Sequence, residues 1–600
     1  MLIQEQDQEK FKRLGIDSVS SLALYAPASY EDYRLYTEVK NERSQILDVT
    51  IEHISKTPRL LKITAFCHNL EFKVELLFFS PKPYMMGQFS VDERYYIYGK
   101  IDFNSGHAQT SHPLKVTKIG SITPKYKTPL RNDVMQRLVK KYILHVNLTA
   151  EGLPAEVVDN LMAIHFPNEL SGKEFLKKQL YALKFTELYE YMSSLIKKRK
   201  YFKPLFTCKN SWKSWSQTLP FKLTPDQIKS IEAIANDLSS NHAARRMVVG
   251  DVGSGKTMVI LASVIIAQPY RCILMAPTTI LAQQLFEEAQ KFLPNLHVNL
   301  VTNKSKKNQS LQKYDFIIGT HALLYRELPQ AALIMVDEQH RFGTAQRNLL
   351  EKLVSVGEKR PHFLQFSATP IPRTQAMIDS AQVDVSLITQ TPFKKNIETR
   401  SISKRDFPAL LEHIKSEIEL KHQVLIVYPL VEQSDVIEYQ SIDEARGFWQ
   451  ERFDDVYVTY GKDKNKEEVL LNFREKGTIL LATTVVEVGI SLPKLTTVII
   501  VGAERLGLST LHQLRGRVSR TGLQGYCYLF SYKDESERLS EFSKTTNGFD
   551  IAALDLKYRK SGDLLIGKNQ SGNQFKWVDI AEDEEVVKDV KRHLLHQGLI

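Results

Sequence analysis

Residues 250–257 read "GDVGSGKT". They fit G-x-x-x-x-G-K-[ST] at every position, and the flanks decide what the match means. "RMVV" (246–249) before them is strand-like, and "MVILASVIIAQ" (258–268) after them is helix-like. A strand–loop–helix of this composition is a phosphate cradle. Gly250, Gly253 and Gly255 let backbone N–H groups approach an anion without a Cβ in the way, with Ser254 among them. Lys256 would reach the β- and γ-phosphates of ATP, and Thr257 would hold Mg²⁺ with its hydroxyl. Average residue frequencies put a chance match at roughly a few per cent for a chain this long, and the flanking pattern lowers it.

Outward from this loop, apolar runs alternate with amphipathic stretches from about 206 to 530. Among them are "CILMAP" (272–277), "DFIIGT" (315–320), "VLIVYP" (424–429), "TILLAT" (478–483) and "TVIIVG" (497–502). That alternation predicts parallel α/β folding, with the α/β unit duplicated near residue 390. "ALIMVDEQH" (332–340) ends a strand in two acids. Such a position faces the crevice where ligands bind, so Asp337 is expected on Mg²⁺ and Glu338 on the attacking water. His340 has no His or Cys at ligand spacing and is expected to make a polar contact. "FSATPIPRT" (366–374) follows a further strand, and "LHQLRGRVSR" (511–520) lies in the second α/β half. Arg517 and Arg520, three apart, would point the same way on a helix or tight turn and could act as arginine fingers from the second lobe. A solvated basic face is the plainer alternative.

Elsewhere the pattern changes. "ILDVTIEHI" (46–54), "EFKVELLFF" (71–79) and "RYYIYGKID" (94–102) read as short strands of a small barrel or sandwich at about 47–120. From about 131 to 203 apolar residues recur every three or four positions, as in "EFLKKQLYALKFTELYEYMSSLIKKRK" (174–200), which predicts helices. The last seventy residues are polar and mixed. Six hundred residues are too many for one core and suggest roughly three to five domains. The start, "MLIQEQDQEKFKRLG", has no apolar core and is not a signal peptide. No apolar run is long enough to span a bilayer. Four scattered cysteines without C-x-x-C spacing argue against a disulfide framework or zinc site and suit a reducing compartment. A formal charge of +11 favours polyanionic partners.

The series "GDVGSGKT", "DEQHRFG" (337–343), "SATPIPRT" (367–374), "TTVVEVGI" (483–490) and "AERLGLSTLHQLRGRVSR" (503–520) resembles the superfamily 2 DNA helicases, in the spelling of the RecG family. The resemblance implies a multidomain α/β architecture with an N-terminal OB-type β-barrel. That barrel belongs to a wedge domain over 1–130, and a helical linker follows over 131–205. Two RecA-like parallel-sheet lobes follow over 206–390 and 391–530, then a translocation hairpin and C-terminal region over 531–600. It implies that Phe221 of "FKLTPDQ" (221–227) stacks on adenine while Gln227 reads the base edge. It gives Gln513 a catalytic place beside the arginines. Ser367, Ala368, Thr369, Arg559 and Gln570 become coupling residues. Thr278, Thr320, His321 and Thr484 contact DNA in the motor, and Phe79 and Tyr84 contact it in the wedge.

These last two belong to "LLFFSPKPY" (76–84). Strand alternation puts Phe78 and Phe79 on opposite faces, with Phe79 expected outside and free to stack on bases. The implied activity is ATP-driven remodelling of forks and four-way junctions in recombination and repair. The implied protein is a cytoplasmic, nucleoid-associated monomer with a single-strand DNA-binding protein as candidate partner. There are departures from the family pattern. Ser519 and Thr521 stand at usual glycines, Ser491 at a usual aspartate, Thr279 at a usual glutamate, and "RKSGD" (559–563) replaces R-G-P-G. Three other readings compete. A transcription-coupled repair translocase would need further domains. A passive nucleic-acid binder is opposed by the intact phosphate and acid residues. An RNA helicase shares the motor chemistry.

Overall fold

The computed structural model describes residues 3–40, 43–82, 87–104, 107–117, 119–170, 176–306, 309–369, 371–393, 396–430, 439–461, 463, 465–484, 492–519, 522–532, 536–566 and 575–600. The chain forms two compact units. One is Met1–Tyr191 with Gln574–Val578 and Arg592–His596; the other is Met192–Asn573 with Asp579–Lys591 and Gln597–Ile600.

The first unit holds a small antiparallel pair, β1 (Ser29–Asp32) with β9 (Ile122–Lys125), and a larger sheet. The larger sheet comprises β2 (Ser44–Lys56), β3 (Leu60–Cys67), β4 (Phe72–Phe79), β5 (Arg94–Lys100), β6 (Asp102–Asn104), β7 (His107–Ser111) and β8 (Leu114–Val116). Its order is β6-β7-β4-β3-β2-β5-β8, antiparallel except where β4 runs parallel to β7. Burial alternates residue by residue along β3 and β4, so Leu61, Ile63, Val74 and Leu76 point into one core with Ile97. A bulge in β2 between Ile51 and His53 bends the sheet. The curl brings β5 against β7: a Cβ on Gly99 would lie 2.2 Å from Thr110 Cγ2, so only glycine fits there. This is the partly open barrel of the OB type. Helices cover 132–165 in three pieces, and Lys177–Lys198 forms one long helix.

The second unit contains two all-parallel sheets. The first comprises β10 (Arg245–Gly250), β11 (Cys272–Met275), β12 (Val298–Val301), β13 (Phe316–Gly319), β14 (Leu333–Val336), β15 (His362–Ser367) and β16 (Asp384–Ile388). They lie in the order β12-β13-β11-β14-β15-β10-β16. The second comprises β17 (Ile397–Ile402), β18 (Gln423–Val427), β19 (Val456–Thr459), β20 (Ile479–Ala482), β21 (Leu495–Val501) and β22 (Gly525–Phe530), in the order β17-β22-β21-β18-β20-β19. Both faces of each sheet are buried, which is why these strands read as unbroken apolar runs. On β11, Cys272 and Leu274 enter one core while Ile273 and Met275 enter another. On β18, Val424 and Ile426 face one way and Leu425 and Val427 the other. Strands β14, β15 and β10 are neighbours, so the segments following them meet at one sheet edge, the carboxyl-end crevice of an α/β fold. Among the described residues no helix is long and apolar enough to cross a membrane.

Candidate active site

The glycine loop joins β10 to the helix Lys256–Ala267. Gly253 and Gly255 hold φ of 77° and 76°, a left-handed backbone that disfavours side chains. A Cβ on Gly250 would lie 2.4 Å from Ser254 Oγ, and one on Gly255 2.3 Å from Gln227 Nε2. Lys256 Nζ donates to the carbonyls of Gly250 (2.8 Å) and Asp251 (3.1 Å), and Thr257 lies in the first turn of the helix. Its N-terminus adds orphan N–H groups and the positive dipole end, so the loop suits an anion.

Asp337 and Glu338 follow β14. Asp337 is buried, and burial, with repulsion from Glu338, raises its carboxyl above the usual range against the pull of Lys256. Glu338 sits in the left-handed region (φ 51°, ψ 54°), a conformation costing roughly 1–2 kcal/mol in a residue with a Cβ. Its backbone turns the side chain toward the neighbouring strand, where Oε2 accepts the Ala368 N–H at 3.1 Å. His340 lies 3.6 Å from the same carboxylate and within 3.4 Å of Thr369 Oγ1, a polar contact, and burial lowers its pKa. Ser367 Oγ accepts from Thr369 N–H at 3.2 Å, and Gln513 Nε2 donates to Thr369 Oγ1 at 2.8 Å. The Ala368–Thr369 backbone, bonded to Glu338 on one side and to Gln513 on the other, therefore links the first sheet's acid to the second sheet's helix Leu508–Arg515.

The residues fit ATP and Mg²⁺. The buried hydroxyl of Ser254 has no hydrogen-bond partner among the described residues, and two crowded acids stand beside Lys256, where a divalent cation would relieve their repulsion.

Arg517 is 8% exposed and follows Gly516, where a Cβ would meet Val252 Cγ1 at 2.8 Å. The second lobe thus lies directly on the glycine loop. Arg520 falls outside the described residues, as do Thr521, Ser491, Tyr84 and Gln570; Arg559 is in the helix Gly548–Ile566, and nothing is described of its side chain. Ser519 adopts φ 60°, the conformation a glycine would take without cost, and its Oγ donates to the Leu523 carbonyl at 2.7 Å in compensation.

Phe221 is 45% exposed and packs edge-on against Phe292. Gln227 is buried. Its amide donates to the Ser254 carbonyl at 2.8 Å, and its oxygen accepts the Thr224 N–H in a capping box, so it braces the glycine loop as well. Thr278 caps the helix Thr279–Phe292. Thr320 is buried, and its hydroxyl caps the turn beginning at His321, which is exposed. Thr484 is half-buried after β20. In the first unit Phe78 is 3% and Phe79 49% exposed, and Phe79 lies 5.4 Å from the ring of His112.

Two acids not singled out in the sequence hold the site. Asp226 accepts from Thr389 N–H (2.8 Å), Thr389 Oγ1 (2.7 Å) and Gln390 N–H (3.1 Å), tying the Phe221–Gln227 segment to the strand leaving β16. The second is Asp251, whose carboxylate also meets His512 and Gly548, far along the chain; only its place in the loop could have marked it.

Residues 224–378 match the DEAD/DEAH box helicase family, and 406–522 match the helicase conserved C-terminal domain. A Helicobacter pylori ATP-dependent DNA helicase RecG is 45% identical, over 99% of this chain and 98% of its own. That of Streptococcus pneumoniae is 33% identical, over 97% and 93%. A solved structure of RecG bound to a three-way DNA junction aligns with 98% of this chain and 84% of its own, at 25% identity and a TM-score of 0.55. With such relatives matching over nearly its whole length, the chain belongs to the RecG family of ATP-dependent DNA helicases.

Proposed function

We propose that this helicase is a double-stranded DNA translocase that remodels branched DNA, regressing forks and migrating four-way junctions in recombination and repair. The observation that carries the mechanism is the link from Glu338 through Ala368 and Thr369 to Gln513, which makes the hydrolytic site a joint product of two lobes. Bound ATP and Mg²⁺ supply the phosphoanhydride and neutralise charge. Lys256 would hold the β- and γ-phosphates, Thr257 and Asp337 the metal, and Phe221 the base. Glu338 would orient the attacking water, and Arg517, with Arg520, would stabilise charge developing on the transferred phosphoryl group. Because those arginines belong to the second lobe, hydrolysis depends on how the lobes meet. Arg559 and Gln570 would pass that movement to the duplex. We assign Thr278, His321 and Thr484 to strand contact, and 1–130, 131–205, 206–390, 391–530 and 531–600 to wedge, linker, two lobes and hairpin. The protein is read as a cytoplasmic monomer, with a single-strand DNA-binding protein as candidate partner.

The wedge reading rests on Phe79. An exposed ring at a strand end can stack on a base for roughly 1–3 kcal/mol, against ~1.4 kcal/mol for a DNA stacking step. It therefore offsets strand opening without reading sequence. With ATP, a labelled four-way junction is expected to convert to duplex products. Phe79→Ala should weaken junction affinity roughly tenfold, leaving ATP affinity intact. Normal junction affinity in that variant would remove Phe79 from the branch point. Absence of ATP-dependent conversion in the native protein would remove the function.

A further inference from the structure

Asp251 lies in the glycine loop, and its carboxylate meets the second lobe. Its Oδ1 accepts from its neighbour Val252 N–H at 2.6 Å and faces His512 Nε2 at 2.6 Å, 261 residues away. Its Oδ2 accepts the N–H of Gly548 at 3.0 Å. One buried carboxylate thus meets three elements: the loop itself, the second-lobe helix Leu508–Arg515, and the first residue of the helix Gly548–Ile566.

The tautomer follows from the chemistry. Arg515 Nη2 lies 3.1 Å from His512 Nδ1, and a guanidinium can only donate. His512 Nδ1 is therefore an acceptor, and Nε2 carries the hydrogen given to Asp251. Arg515 also donates to the carbonyls of Phe542 (3.2 Å) and Thr545 (2.8 Å), with its guanidinium 4.3 Å from the Phe542 ring centroid. The connector 545–548 is consequently held at both ends, at Thr545 by Arg515 and at Gly548 by Asp251. A separate bond fixes the same helix further on: Asp555 accepts the Leu508 N–H at 2.9 Å. The close seat of Gly516 on Val252 makes this junction stiff.

We infer that Asp251 and His512 are positioning residues that transmit nucleotide occupancy of the glycine loop to the root of the helix Gly548–Ile566. A loop that shifts on binding phosphates moves Asp251, whose carboxylate, oriented by the Nε2 hydrogen of His512, carries the movement to Gly548. The use of this linkage in DNA movement rests on the motor reading above; its existence does not.

Hydrogen exchange of the native protein and of His512→Ala, each with and without Mg²⁺ and a non-hydrolysable ATP analogue, tests it. In the native protein the analogue should change exchange at least fivefold both in a peptide spanning 250–257 and in one spanning 545–552. In His512→Ala the first change should persist and the second shrink to less than twofold. His512→Gln, whose amide can replace the Nε2 donor, should restore the second change. A 545–552 response that survives in His512→Ala would overturn the linkage. So would a native protein whose 250–257 segment responds while 545–552 does not, or a loss that His512→Gln fails to restore. None of these readouts uses DNA, so a failed junction assay would count against the motor reading alone.

Discussion

Lys256→Ala is expected to lower ATP turnover by at least roughly 10³-fold while leaving four-way junction binding intact. The ammonium is the loop's cation, lodged against the carbonyls of Gly250 and Asp251 where phosphate oxygens would draw it out. Removing it deletes charge stabilisation at the leaving group. It disturbs neither the left-handed glycines nor the capping-box brace from Gln227, so the loop should keep its shape. In the proposed mechanism junction affinity belongs to the other compact unit, where Phe79 sits. Steady-state ATPase and a junction mobility-shift titration on the same preparation check both halves. Parallel loss of binding would show that the phosphate loop and the branch contact are not separable.

Arg517→Ala should have an effect of similar size by a different route. A finger supplied from outside the phosphate loop is worth about 10³–10⁵ in rate and little in ground-state affinity. Arg517 is buried, and its neighbour Gly516 rests on Val252 of the loop. The expected result is a collapse of turnover with the binding constant of a fluorescent ATP analogue changed less than about threefold. If affinity falls as far as rate, Arg517 is a ground-state ligand. If neither falls, it is part of a basic face, the alternative the sequence left open.

What could be read before the structure was local. The phosphate loop declares itself because its chemistry needs glycines at set positions beside a strand and a helix. The acid pair does so because a buried parallel strand ends where its apolar run ends. Period-two alternation sufficed to separate Phe78 from Phe79. What could not be read is long-range or conformational. Nothing in the spelling "DEQH" announces the left-handed backbone of Glu338. The burial of Thr320 comes from packing that its local spelling does not declare. The Asp251–His512 contact joins segments that share no period or spacing. Ser519 is intermediate: the departure from glycine was visible, but not the Leu523 bond that lets a serine hold that turn.

In the proposed mechanism, hydrolysis at the junction of two lobes is governed by branched DNA. The most direct measurement is steady-state ATPase of the native protein on linear duplex, forked and four-way DNA at matched nucleotide concentration and salt. Strong stimulation by forked and four-way DNA, well above that by linear duplex, is the expected result. Equal rates on all three, or the same rate with none, would contradict the account.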